Sequence, residues 1–492
     1  MAPHADQSFD IVIIGAGISG INAAYRLQEN CPGRSYTVLE ARDNMGGTWD
    51  LFKYPGIRSD SDLHTFGFPF RPWVQSNAIA DGHLIVQYIK ETAAEFGIDK
   101  HVQYGHQVEA ADFSTKRQRW NLTVHHGEKT KTIRCQFLLF CTGYYDYHEP
   151  LNTQIPGISN FKGQVIHPQF WPENFDYTDK KIVIIGSGAT AVTLLPNLAE
   201  KAKQVTMLQR SPSWVVAMPQ NDAISKFIRF VLPQSWAARA LRFRFLMLYY
   251  LSYTIFQRYP NVARNLIRKR TEALLPKGYP MDPNFNPSYN PWDQRLCVSP
   301  GGDFYAAIRN GSADVVTGTI DNITSDTIHL KTSDVELKPD VIITATGLKL
   351  NVAGGCRVSV DGNAANPSDK YVYRHAMLSD VPNAIVFIGY VQYSWTLGSD
   401  VSARWACRLI NHMAKEGYQS AIPIVQGPLT TMPVLNLNST YIKKGGSVLP
   451  SAGDRDPWKP RKSYMHDLYE AHYSDFRELQ FRRSEGGYRD EK

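Results

Sequence analysis

No two of the six cysteines (Cys31, Cys135, Cys141, Cys297, Cys356, Cys407) form a C-x-x-C pair, and their spacings match neither a zinc site nor a disulfide framework. A redox-active dithiol and a stapled secreted fold are therefore not expected, and a reducing compartment fits. The start, MAPHADQSFD, lacks the basic segment and apolar stretch of a secretory signal, and the end, GGYRDEK, is not a peroxisomal address. These absences lead to the expectation of a cytoplasmic protein. The most apolar run, residues 245–256 (FLMLYYLSYTIF), is too short for a bilayer and has Arg239, Arg242 and Arg244 just upstream.

One sign of charge is missing from a long segment. Residues 223–271 hold ten Lys or Arg and no Asp or Glu, so this stretch alone outweighs the formal charge of +7 for the chain. Charge by itself does not choose between nucleic acid, a membrane surface and an anionic nucleotide. The helical spacing of the apolar residues favours buried amphipathic helices, with peripheral membrane contact as the sharper alternative, and no nucleic-acid partner is expected.

What the chain does have is apolar material for more than one core, 43% of 492 residues, and a supersecondary unit that occurs twice. In the first copy the apolar strand FDIVII enters Gly15-Ala-Gly-Ile-Ser-Gly20, a helix runs to about Asn30, and a second strand (36–39) ends at Glu40. In the second copy KIVII enters Gly186-Ser-Gly188-Ala-Thr190-Ala191, a helix runs to about Glu200, and the next strand ends at Gln209-Arg210-Ser211. Strand, glycine-rich turn and helix together aim backbone N–H groups and a helix N-terminus at a pyrophosphate. Two such βαβ units imply two nucleotides.

Gly15, Gly17 and Gly20 serve the turn, the close approach and the helix packing, and Glu40 stands where an acid accepts from ribose hydroxyls and repels a 2′-phosphate. In the second unit Arg210 occupies the corresponding place, next to Ser211, and a guanidinium there favours the 2′-phosphate of NADPH. Further strands end in small residues at 137–143 (FLLFCTG) and 341–347 (VIITATG), the latter including Thr346. The expected fold class is α/β, with two Rossmann-like dinucleotide-binding domains and a helical insertion in the second. Its divisions are 1–150 (first domain), 151–211 (second domain), 212–290 (helical insertion, punctuated by Pro233, Pro260, Pro276 and Pro280), 291–370 (second domain resumed) and 371–492 (first domain resumed). The tail beyond Pro450 is expected to run partly extended.

Two further clusters carry the chemistry. Gly46-Gly47-Thr48-Trp49 and Tyr54-Pro55-Gly56-Ile-Arg-Ser-Asp60 follow the first unit, where a flavin ring would sit. Phe161, Gly163, His167, Trp171 and Pro172 precede the second unit and satisfy F-x-G-x-x-x-H-x-x-x-W-[PD]. At these residues the chain resembles a class B flavoprotein monooxygenase of the type I Baeyer–Villiger group. GGTWDLFKYPGIRSDSD, MLQRSP and YNPWDQRL resemble the ethionamide-activating branch, although Pro168 stands where many members carry Thr or Ser.

The resemblance runs from about residue 9 to about 410. It implies FAD and NADPH as cofactors and a ketone or thioether as substrate alongside dioxygen. It further implies oxidation of ketones to esters or lactones through a peroxide at the flavin C4a, with sulfoxidation as a side activity. Arg295 is implied to sit over the flavin, Asp60 to hydrogen-bond that arginine, and His167 to couple domain movement to nucleotide binding. A permanently charged guanidinium suits a peroxide that must stay anionic. On local sequence alone Arg295 reads as a surface arginine. An N- or S-oxygenase of the same superfamily and a non-catalytic nucleotide-binding or membrane-associated flavoprotein are the alternatives.

Overall fold

Parallel strands with apolar residues on both faces build the two expected units. The computed structural model describes residues 7–331, 333–390, 392–435 and 445–483. Gln7–Ile14 pairs in parallel with Tyr36–Leu39 on one side and Lys129–Phe140 on the other, with Ile14 opposite both Leu39 and Phe140. Burial of the strand's last four residues follows from this central place, since the helices of a βαβ sheet cover both faces. The sheet extends outward through antiparallel strands at Arg119–His126 and His106–Ser114. The second sheet is wholly parallel, in the order Ala313–Thr317, Gln204–Gln209, Lys181–Ile185, Val341–Thr344, Gln164–Ile166. Its core is the cluster around Ile184, Leu194, Phe304 and Ile343.

The chain rejoins the first sheet earlier than the expected residue 371. Arg357–Val360 already pairs in parallel with His106–Ser114, because its alternating side chains meet the apolar face around Val108, Ala111 and Phe113. The helix Trp395–Glu416 then packs on the first-unit helix Ile18–Asn30, where Ser19 Oγ and Ser399 Oγ lie 2.7 Å apart and Arg26 Nε donates to Asp400 at 2.7 Å. The tail beyond Pro450 is only partly extended. Trp458 is fully buried, Tyr464–Tyr473 is helical, and Leu479–Arg483 pairs antiparallel with Tyr418–Pro423. Residues 484–492, the last of that expected tail, lie outside the described residues.

Residues 212–290 are helical for most of their length, as Ala223–Val231, Gln234–Arg258 and Pro260–Leu274. Pro260 opens the third of these at its first turn, where the missing N–H costs nothing. A short parallel pair, Val215–Met218 with Cys297–Pro300, ties the two ends of the insertion together. The helices are buried on one side only: Ala237, Leu241 and Phe245 are covered while Trp236 and Phe243 are 63% and 64% exposed.

Candidate active site

A single cavity of about 1060 Å³ is lined by both glycine loops. Gly15 has φ +102°, and a Cβ there would stand 2.7 Å from the Cys141 carbonyl oxygen. Gly20 does not line the cavity; its Cβ would fall 1.9 Å from the Gly15 carbonyl oxygen, so it serves the turn from behind. Gly17 faces Gly47, whose own φ is +57°, and a Cβ on Gly47 would stand 3.2 Å from Gly17 Cα.

Both loop helices begin without a side-chain cap: Gly17 caps Ile18–Asn30 and Gly188 caps Ala189–Leu198, and a Cβ on Gly188 would meet nothing within 4 Å. Their first N–H groups thus look into the cavity with room for an anion beside each. Glu40 is buried at the end of the first unit, where Oε2 accepts from Ala16 N at 2.7 Å and Oε1 from Arg42 N at 3.0 Å. Burial raises its pKa against those two hydrogen bonds. Two uncapped helix starts, a ribose-level acid and a glycine-walled channel fit two dinucleotides.

Of the residues singled out from sequence, Gly15, Gly17, Glu40, Gly47, Thr48, Trp49, Asp60, Gly186, Gly188, Thr190, Arg210, Ser211, Arg295 and Thr346 all line this one cavity. Arg295 comes from the stretch just before Cys297–Pro300 and reaches the first domain's loop. Its Nε lies 2.9 Å from Asp60 Oδ2, and its Nη2 donates to Asp60 Oδ1 at 3.0 Å and to Ser61 Oγ at 2.7 Å. Both side chains remain about one-third exposed, so the pair is forked and oriented while its charge still faces the cavity.

His167 stands apart from this group. It does not line the cavity; its Nδ1 accepts from Gln169 N at 3.3 Å, and its Nε2 is buried. Burial lowers its pKa, opposed by a hydrogen bond with the backbone of Gly347, a residue that does line the cavity. The other fingerprint residues hold the fold: Phe161 is buried, Gly163 lies where a Cβ would meet the Asp340 carbonyl oxygen at 2.5 Å, and Trp171 packs edge-on against Phe175.

The sequence placed Tyr54 and Arg58 in the second cluster without giving either a partner. Arg58 pairs with Asp303, and the buried Tyr54 hydrogen-bonds Thr190 across the two units. In the polar run RSDSD, Arg58 turns to Asp303, Asp60 and Ser61 both turn to Arg295, and Asp62 turns to Thr65. Cys141 and Cys297 also line the cavity, both as free thiols; burial pushes Cys297 up to about 12 and keeps it protonated.

Asp62, in the same run, is fully buried and caps Leu63–Phe66, accepting from Thr65 N at 2.9 Å and Thr65 Oγ1 at 2.6 Å. Burial raises it from 3.8 to about 6, so its share of stability falls as pH rises through that window. Neighbouring His64 is lowered by burial from 6.5 to about 4, and its share grows as pH rises from 4 to 6.5. The two oppose each other. Asp62→Asn, which keeps an acceptor for the cap, should therefore gain stability with pH more steeply than the native protein between pH 4 and 6.5. Melting temperatures measured across that range test it; parallel curves would contradict the assignment.

The Flavin-binding monooxygenase-like family model matches residues 9–228. The FAD-containing monooxygenase EthA of Mycobacterium tuberculosis (strain ATCC 25618 / H37Rv) is 44% identical over 464 residues, covering 94% of this chain and 95% of that protein. Among solved structures, an oxidized steroid monooxygenase bound to NADP superimposes with a TM-score of 0.76 at 18% identity, over 97% of this chain and 100% of the other. An epsilon-caprolactone-bound cyclohexanone monooxygenase gives 0.72 at 18% identity, over 97% and 100%. Those two share the fold. With 44% identity sustained over nearly the full length of a curated relative, the chain belongs to the flavin-binding monooxygenase-like family, among the monooxygenases of the EthA type.

Proposed function

We propose that the protein is an FAD- and NADPH-dependent Baeyer–Villiger monooxygenase that inserts one oxygen atom of dioxygen beside the carbonyl of a ketone, giving an ester or lactone. The observation that carries this reading is the forked Arg295–Asp60 pair in the cavity shared by both glycine loops. The names of the similar proteins, with their FAD, NADP and lactone, support it. When bound, FAD supplies the activation of dioxygen and NADPH the reducing equivalents.

The chain's own residues bind, orient and polarise. Gly15, Gly17 and the start of Ile18–Asn30 hold the FAD pyrophosphate, with Gly20 keeping the turn tight, and Glu40 accepts from the ribose. Gly47, Thr48 and Trp49 border the flavin ring. Gly186, Gly188, Thr190 and Thr346 take the second nucleotide, with Arg210 and Ser211 on its 2′-phosphate. Arg295 stabilises negative charge that develops on oxygen as the carbonyl is attacked, and Asp60 orients it. His167 is a positioning residue between the domains.

This reading assigns FAD to residues 1–150 and to the chain from Arg357 on, and NADPH to the sheet that 151–211 and 291–344 build. Thioether oxidation is a proposed side activity. Contact of the basic helical segment with a membrane surface is proposed as well. A panel of linear, cyclic and aryl ketones and sulfides, turned over with NADPH under isotopically labelled dioxygen, tests the reaction class: label is expected in an ester oxygen. Label only in sulfoxides would replace the reading with heteroatom oxygenation.

Arg210 is exposed at the end of Gln204–Gln209. Removing its bidentate donors with Arg210→Ala should raise the KM for NADPH by roughly 10- to 100-fold, the scale of one charge-assisted phosphate contact, and leave that for NADH nearly unchanged. Equal changes in both would remove the 2′-phosphate role.

A further inference from the structure

Soluble helices normally keep large apolar side chains off their outer face, and the insertion does not. On Gln234–Arg258 the inner stripe (Ala237, Leu241, Arg242, Phe245) is buried, and Arg242 Nη1 anchors it by donating to the carbonyls of His64 at 2.9 Å and Gly67 at 2.8 Å. The outer stripe is apolar, with Trp236, Phe243 and Leu251 all more than half exposed. The neighbouring helices expose apolar side chains as well: Phe227 is 63% and Phe230 88% exposed on Ala223–Val231, and Val262 is 62% exposed on Pro260–Leu274. Exposed large apolar residues gathered on three successive helices are not the scattered kind that needs no explanation.

Cations accompany this apolar face. Lys226, Arg239, Arg258, Lys269 and Arg270 are exposed on the same three helices, and no acidic residue occurs between 223 and 271. Asp222, at the edge, is already paired with Arg244 at 3.0 Å. No helix among the described residues is long and apolar enough to cross a membrane. An apolar face combined with single-sign positive charge matches an interface in which hydrocarbon lies just beneath anionic headgroups. A second copy of the chain would satisfy the apolar residues but would set this strongly positive segment, with Glu272 its one acid, against its own like.

We propose that the helices of residues 223–274 dock the protein peripherally on an anionic lipid bilayer, Phe227, Phe230, Trp236 and Phe243 entering the interface and Lys226, Lys269 and Arg270 meeting the headgroups. The docked helix is also a structural neighbour of the cavity. Leu246 and Tyr249 pack on Tyr390, Tyr393 and Leu397, and Tyr390 lines the cavity wall. The bilayer would then lie about one helix diameter, roughly 10 Å, from that wall.

Co-sedimentation of the full-length flavin-loaded protein with vesicles tests this without reading oxygenation at all, so its outcome is separate from that of the proposed reaction. Vesicles of phosphatidylcholine with and without one-third phosphatidylglycerol are the probes. The native protein should partition onto the anionic vesicles and be released by high salt. The triple variant Phe227→Ser, Phe230→Ser, Trp236→Ser should bind about tenfold less or weaker. Lys226→Gln, Lys269→Gln, Arg270→Gln should lose the preference for the anionic lipid while retaining bound flavin, as should the first variant. Native protein that stays in the supernatant with both vesicles, or an apolar variant that binds like the native protein, overturns the proposal. A lipid-free dimer that the apolar variant converts to monomer would assign the face to self-association instead.

Discussion

Arg295→Ala should still consume NADPH yet make ester about 10²- to 10³-fold more slowly, the cost of removing one preorganised donor from a developing oxyanion. The expectation rests on geometry in which one guanidinium binds both carboxylate oxygens of Asp60 and the hydroxyl of Ser61. Such a fork fixes the plane of the guanidinium, and only a fixed charge is worth much more than solvent at the moment of reaction. Arg295→Lys should recover only part of the rate, because an ammonium cannot reproduce the two-point contact with Asp60. Simultaneous measurement of NADPH oxidation and ester yield separates this from a failure to bind cofactor. Ester formed at the native rate by the alanine variant would remove Arg295 from the mechanism.

Gly186→Ala should abolish useful NADPH binding, raising its KM about 100-fold or more, while the protein keeps its flavin. At φ +135° an alanine is strained, and its Cβ would lie 2.2 Å from the Ala345 carbonyl oxygen and 2.9 Å from its carbon. These are backbone atoms next to a strand, Val341–Thr344, paired in register with Lys181–Ile185, so no side-chain rotation relieves the overlap. The loop must move instead, at a cost of about 1–3 kcal/mol or more. Gly188→Ala is the informative control. Its Cβ would meet nothing within 4 Å, so it should leave the melting temperature unchanged and still raise the KM, because the added methyl occupies space assigned to the pyrophosphate. Native KM values in both variants would place the second nucleotide elsewhere.

The physical character of each signal explains what could be read ahead of the structure. Strand, glycine turn and helix are local, and each residue there is dictated by neighbours within a few positions: Gly15 by its φ, Gly20 by the turn it packs behind. Glu40 and Arg210 follow from the end of a strand, also a local event. The pairing of Arg295 with Asp60 crosses 235 positions and has no local trace; the resemblance supplied it, and folding brought it about. His167 shows the reverse case, since it belongs to a legible pattern yet lies behind the cavity wall rather than on it.

The tail and the insertion show the same limit. Composition predicts a partly extended segment beyond Pro450 but not its partners: Trp458 finds a core, and Leu479–Arg483 finds a strand partner some sixty residues back in Tyr418–Pro423. Apolar spacing in the insertion showed amphipathic helices without showing how many faces would be covered. Alone, then, the amino-acid order determined two glycine-loop βαβ units and the family the chain belongs to, because backbone conformation and short-range hydrogen bonding are set within a few residues. Tertiary structure decided that both units open into one cavity, that Arg295 faces it beside Asp60, and that a basic helical face is left apolar and uncovered. Burial and long-range charge pairing depend on which distant surfaces meet, and no local pattern specifies that.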